Sequence, residues 1–492
     1  MNLQKFLSEM AAALLLASCV QPKAPETADR ALPITGSWVN LAWQDGRNDF
    51  TNPLDVPYNQ ADLWRTKVGE WHRMGLEYLV IMQVANDGRS YYPSDVMEPA
   101  YTGEESPVSA ILDEAARQGM KVFLSTGWAR NQFEDLRDAW VQERQQLIMT
   151  ELTERYGSHP AFYGWYLPVE DCITPVFPKT AVEAVNKLVA RSHELTPGKK
   201  TLISPYGMVR ADYDNPELAA NIRALKVDII AYQDEVGCVR EPFPLRRLKE
   251  NWKKLKAIHE GSGIEMWANC ETFTWTHETN SHFSALIPAA YSRLLSQQIA
   301  ATDGGVSRII SFMFGGIIED PDSPYQLGQP EGSARTFRDY MDWKNGQPYW
   351  KIQEQALRGT LQGRIAALAA TDGRLTDGVV GEQEPDSLAW VAFPAGRSEI
   401  LLRFAQEQTV ENVFLRCLDY APQGILPPGR ICVHTGDGLL LAVRQFTAPS
   451  NNRHDAWIDG IEIKCRPVRT ESLVLTFETD QDVWIDEIYV NI

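Results

Sequence analysis

Eight short β-type runs recur between residues 36 and 317, and each gap between them is long enough for one helix. The runs are Gly36–Asp45, Leu76–Ala85, Lys121–Ala129, Phe162–Asp171, Lys200–Gly207, Asp228–Gly237, Glu265–Trp275 and Arg308–Ile317. Strict strand–helix alternation calls for parallel strands joined by crossover helices. Eight such units close into a (β/α)8 barrel, so the fold class is α/β, a TIM barrel, and function is expected at the C-terminal strand ends. The helices carry their own punctuation. Ser106 and Pro107 open the second and Gly119 closes it.

Beyond residue 365 the pattern changes to short alternating strands with no amphipathic stretch of helix length, which predicts an all-β sandwich. The expected strands are Ser387–Phe393, Glu399–Ala405, Glu411–Leu418, Leu439–Ala442, Ile461–Cys465, Glu471–Phe477 and Val483–Val490. The expected divisions are a signal segment over 1–18, a tether over 19–33, the barrel over 34–345, a connector over 346–364 and the sandwich over 365–492.

The N-terminus reads as a targeting segment. Lys5 is a basic start, Met10–Leu16 is an apolar run too short to span a bilayer, and Leu16-Ala17-Ser18 precedes Cys19. That box resembles a bacterial lipobox. The resemblance implies lipidation of Cys19 and an outer-membrane lipoprotein on the periplasmic or cell-surface face, held by its lipid anchor only. The formal charge of −18 argues against nucleic acid as a partner. Of the remaining cysteines, Cys172, Cys238 and Cys270 lie at ends of runs four, six and seven, where two of them can pair or all can stay free.

Two runs end in a glutamate that a barrel would bring to one mouth: Trp165-Tyr166-Leu167-Pro168-Val169-Glu170 and Trp267-Ala268-Asn269-Cys270-Glu271. A carboxyl pair is what glycosidic cleavage needs, one acid beside the leaving oxygen and one carboxylate near the anomeric carbon. Strand alternation puts Glu271 on one face with Asn269 and Trp267, and Glu170 with Pro168 and Tyr166. Run six ends Tyr232-Gln233-Asp234-Glu235, where Tyr232 is expected to orient a nucleophile and Asp234 to bind a sugar hydroxyl or rival the glutamates. Aromatics at run ends, Trp43, Trp128, Tyr206 and Trp275, offer stacking faces for sugar C–H groups, and Asn269 a polar contact. His277 and His282 lie beyond run seven, and loop residues explain them better than metal ligands. No metal motif, phosphate loop, nucleophile elbow or dinucleotide fingerprint occurs, so neither metal nor cofactor is expected.

Glutamates ending strands four and seven resemble the arrangement of clan A retaining glycoside hydrolases. The resemblance implies that Glu170 is the acid/base and Glu271 the nucleophile. Val169 stands where that clan usually has Asn before the strand-four glutamate. Gly164–Glu170 and Ala231-Tyr232-Gln233-Asp234 also resemble an uncharacterised family of glycosidase-like lipoproteins with a barrel before a β-sandwich. Leu375–Gly378 and Trp484–Ile488 resemble galactose-binding-like sandwiches. Together these imply a hydrolase acting on an oligo- or polysaccharide. The competing readings are a non-catalytic glycan-binding lipoprotein and a metal-dependent barrel hydrolase such as a deacetylase, which would need a His/Asp cluster at the mouth.

Overall fold

A computed structural model of the protein describes residues 31–41, 59–86, 88–128, 134–168, 170–237, 245–275, 286–289, 291–327, 332–346, 363–365, 374–376, 381, 385, 389–446 and 456–491. Cys19, Trp43, Cys238, His277 and His282 fall outside them.

The eight runs form eight parallel strands: β1 (Ile34–Val39), β2 (Tyr78–Ile81), β3 (Lys121–Ser125), β4 (Phe162–Tyr166), β5 (Lys200–Ile203), β6 (Ile229–Gln233), β7 (Glu265–Glu271) and β8 (Arg308–Phe312). They close as a barrel in the order β1-β8-β7-β6-β5-β4-β3-β2. The intervening helices are α1 (Ala61–Arg73), α2 (Pro107–Gln118), α3 (Ala139–Tyr156), α4 (Lys179–Leu195), α5 (Pro216–Ala224), α6 (Leu245–His259), α7 (Tyr291–Asp303) and α8 (Ser333–Lys344). Among the described residues no helix is long and apolar enough to cross a membrane.

Local chemistry explains the boundaries. The Ser106 hydroxyl accepts from the Ser109 N–H (3.1 Å), Pro107 fills the first turn of α2, and Gly119 ends it at φ 73°. Asp138 caps α3 by accepting from Trp140 and Val141 N–H. Every residue of Tyr78-Leu79-Val80-Ile81 is buried, as befits a parallel strand covered on both faces. The strands are shorter than the runs, because the run tails turn into loops over the barrel mouth. Glu170 therefore lies four residues beyond the end of β4. Before helix α7, Leu286–Pro288 pairs with Phe273–Trp275 as a short hairpin.

The N-terminal end of the barrel is plugged. Tyr78 and Trp267 meet edge to face at 5.3 Å, Phe123 stands 6.1 Å from Trp267, and the Arg308 guanidinium lies 4.3 Å from the Tyr78 ring centre. One layer up, Trp38 meets Tyr166 edge-on at 4.6 Å. Among the described residues, the recess inside the barrel lies at the C-terminal end.

The C-terminal region is an antiparallel, sandwich-like sheet of seven strands. They are β9 (Gly363–Ile365), β10 (Val391–Phe393), β11 (Gly396–Asp419), β12 (Arg430–Thr435), β13 (Leu440–Gln445), β14 (Trp457–Thr479) and β15 (Val483–Val490). Two expected strand pairs are each one long strand: Glu399–Ala405 and Glu411–Leu418 are halves of β11, and Ile461–Cys465 and Glu471–Phe477 are halves of β14. Register shifts between Arg403 and Gln408 and between Val410 and Asn412 break the pairing without ending the strand. The two halves of β11 have different second neighbours, β9 and β15. β12 escaped the sequence pattern, and β9 begins inside the stretch expected to be a connector.

Candidate active site

Above the Trp38–Tyr166 layer, the C-terminal strand ends enclose a recess of about 170 Å³ lined by Trp38, Met82, Glu170, Ser204, Gln233, Asn269, Glu271, Phe273 and Phe312. Its two halves differ in chemistry. Phe273, Phe312, Trp38 and Met82 follow one another around the rim from the end of β7 through β8 and β1 to β2. Glu170, Ser204, Gln233, Asn269 and Glu271 occupy the opposite arc from β4 to β7. Glu170 and Glu271, far apart in sequence, share this one recess.

The two carboxyls are held differently. Glu271 is 4% exposed, and its Oε2 accepts the Gly237 N–H at 2.8 Å. Glu170 reaches solvent through the mouth, yet the rim crowds it, and the lost hydration raises its carboxyl to about 7. Burial is the cause.

Behind Glu271 lies a buried polar clamp between β6, β7 and α7. Asp234 Oδ1 accepts the Glu271 N–H (3.1 Å) and the Val236 N–H (3.3 Å), and Oδ2 accepts from Gln297 Nε2 at 2.6 Å. Gln297 Nε2 also donates to the Glu271 carbonyl at 3.1 Å. Arg293 Nη2 donates to the carbonyls of Glu271 (2.7 Å) and Phe273 (2.8 Å), and its Nε to Gln297 Oε1 at 3.0 Å. Between those carbonyls, the Thr272 hydroxyl donates to Met313 O at 2.7 Å, tying the end of β7 to β8. Burial raises the Asp234 carboxyl, and the Gln297, Glu271 and Val236 donors and the Arg293 charge oppose that rise.

Three sequence expectations are corrected here, those for Tyr232, Asp234 and Trp128. Tyr232 and Asp234 do share a strand face, but it is the outer one, because Gln233 between them faces the recess. Tyr232 is fully buried against α6, with its hydroxyl 2.9 Å from His259 Nε2, so it cannot orient a nucleophile. Asp234 is fully buried with both oxygens engaged and cannot contact a sugar hydroxyl. Trp128, 3% exposed, packs in the hydrophobic core and is not among the residues lining the recess. Asn269 does line it, with Nδ2 donating to Ser204 Oγ at 3.1 Å. Tyr206 is 41% exposed at the mouth, paired through its backbone to Cys172 and close enough to Glu170 for that carboxylate to raise its phenol, after burial, Cys172 and Asp171. Trp275 sits in the hairpin after β7, with its side chain outside the described residues. Cys172 and Cys270 are both free thiols. No group of acidic, histidine or cysteine side chains suited to a metal occurs among the described residues.

Sequence reasoning missed Trp38, Met82, Ser204, Gln233 and Phe312 on the walls, and Arg293 and Gln297 behind them. The i, i+4 spacing of the polar Arg293 and Gln297, which continues to the apolar Ala301 on the same face of α7, was the available signal for the clamp.

Residues 34–325, from β1 to the loop beyond β8, match the DUF4434 family, a domain of unknown function. The chain belongs to this family. No curated protein matches the DUF4434 chain in sequence. In structure it is similar to a putative alpha-L-fucosidase from Bacteroides thetaiotaomicron VPI-5482, with a TM-score of 0.51 and 19% identity over 68% of this chain and 98% of that one. It is also similar to the GH99 endo-alpha-mannosidase from Bacteroides thetaiotaomicron, with a TM-score of 0.41 and 14% identity over 65% of this chain and 98% of that one. The first likeness shows that the two chains share the TIM-barrel fold, and carries nothing about activity.

Proposed function

We propose that this protein is a retaining glycoside hydrolase acting on an oligo- or polysaccharide. The observation that carries the reading is one recess holding two glutamates in unlike settings, with Glu170 raised toward neutrality and Glu271 fixed from behind by the Asp234–Gln297–Arg293 clamp. A carboxyl near pH 7 is suited to give a proton and take one back. Glu271 attacks the anomeric carbon while Glu170 protonates the leaving oxygen. Glu170 then deprotonates the water that releases the sugar from Glu271. Tyr206 at the mouth is a stacking face for the next sugar unit. Asp234 acts through Glu271, as a positioning residue. Cys19 is the proposed lipid attachment point, and the barrel and sandwich are the proposed domains on either side of 346–364.

The purified protein should be screened against aryl glycosides and plant, host and bacterial polysaccharides, following product anomers by NMR. On a hit, Glu271→Gln should lower turnover by several orders of magnitude. Glu170→Gln should slow poor leaving groups far more than good ones and be partly rescued by azide. First-formed product of inverted configuration, or both variants at wild-type rate, sinks the assignment. Glycan binding without turnover would instead favour a non-catalytic lectin-like protein.

A further inference from the structure

The recess carries polar atoms that the protein itself leaves unanswered. Trp38 Nε1 and Asn269 Oδ1 are buried in side chains only 2% exposed, and both side chains line the recess. Neither atom has a hydrogen-bond partner among the described residues. The Tyr166 hydroxyl, on the ring set edge-on against Trp38, is buried and equally without one. Buried polar groups are almost always paired, and each one left alone costs stability. One orphan is unremarkable in a structure of this size. A donor and an acceptor, both orphaned on side chains lining one recess, point to a ligand that brings its own hydroxyls.

Charge narrows the ligand. The described residues lining the recess include two carboxyl groups and no lysine, arginine or histidine. An anionic sugar would meet like charge with no cation to offset it, at a cost that low-dielectric surroundings increase. The apolar arc of Trp38, Phe312, Phe273 and Met82 suits the C–H face of a sugar ring, and the polar arc its hydroxyl edge.

We propose that the recess floor is a subsite for an uncharged sugar unit, in which ring hydroxyls donate to Asn269 Oδ1 and accept from Trp38 Nε1, and that it rejects uronic acids. The proposal rests on the glycan reading of this site but not on its catalysis.

The test is calorimetric titration of the full chain with free neutral hexoses, deoxyhexoses and N-acetylhexosamines and with the matching uronic acids. Free monosaccharides have no glycosidic bond to cleave, so the measurement is independent of turnover. At least one neutral sugar should bind in the millimolar range, and its uronic acid should give no heat. Trp38→Phe keeps the six-membered ring and removes the N–H, and should weaken binding about tenfold. Asn269→Ala should do the same, with circular dichroism confirming that each variant is folded. Absence of binding by every neutral sugar, a uronic acid binding as tightly as its neutral counterpart, or undiminished binding by both folded variants overturns the proposal. Binding without hydrolysis would sink the hydrolase and leave the subsite standing. Hydrolysis of a uronate-terminated glycan would do the reverse.

Discussion

Replacing Asp234 by Ala removes the acceptor of three donors at once: the buried Gln297 Nε2 and Glu271 N–H, and the partly buried Val236 N–H. Each donor left buried and unpaired costs about 1–3 kcal/mol. Part of that is offset, because the wild-type carboxylate is itself costly to bury, as its raised pKa shows. The net loss expected is on the order of 3 kcal/mol, read from the shift of the urea midpoint at unchanged slope. Freed from its clamp, the end of β7 can move, and a displacement of about 1 Å at a reacting carboxylate costs on the order of 100-fold in rate. The drop should fall on kcat, with KM little changed, since Asp234 does not face the recess. Asp234→Asn keeps an acceptor toward Glu271 and Val236 but sets an NH2 against the Gln297 amide. It should cost on the order of 1 kcal/mol and less than tenfold in kcat. Folding raises the Asp234 pKa, so ionising this group disfavours the fold. Its favourable contribution is present below the ordinary aspartate range and is lost as pH rises through the folded value. The stability gap between wild type and Asp234→Asn should therefore narrow with rising pH. An Asp234→Ala protein that is folded and turns over at the wild-type kcat would refute the positioning role.

Three further outcomes follow from particular residues. With Glu170 as the acid, kcat/KM should fall as pH rises through about 7; a pH–rate profile flat up to pH 9 on a poor leaving group would contradict it. Lys67 of α1, 1% exposed, is 3.0 Å from Glu70 and paired with the buried Glu319 of the loop after β8. Lys67→Met should destabilise by about 3–5 kcal/mol, most at alkaline pH, because Glu319 is already raised by burial and loses the cation that opposes this; equal urea midpoints for variant and wild type at pH 8 would exclude it. Replacing Cys19 with Ala should move the protein from the membrane fraction to the soluble one, and unchanged partitioning with no lipid label on the wild type would remove the anchor.

Much of the fold was written in local pattern. Eight apolar runs with helix-length spacing specify eight βα units, and closure follows from the geometry of parallel units. Ser106, Pro107 and Gly119 mark the ends of α2 because capping chemistry acts within a few residues. The meeting of Glu170 and Glu271 in one recess was legible for the same reason, as both follow strands of one barrel. The two long sandwich strands were not. A bulge looks like a turn in sequence, and only the continued pairing of β11 with β14 shows that the strand persists.

Which strand face looks inward was decided by the tertiary structure. In a parallel barrel both faces are covered by apolar groups, so alternation along β6 says that Tyr232 and Asp234 agree but not which way they point. Register with the neighbouring strands decides that, and it turned Asp234 from a sugar ligand into a brace behind Glu271. The raised pKa of Glu170 likewise has no local signature, since desolvation is a property of everything packed around a group. By itself the sequence determined the barrel, its open end and the two glutamates delivered there. The tertiary structure alone decided which side chains stand behind them, and which polar atoms on the recess floor still await a partner.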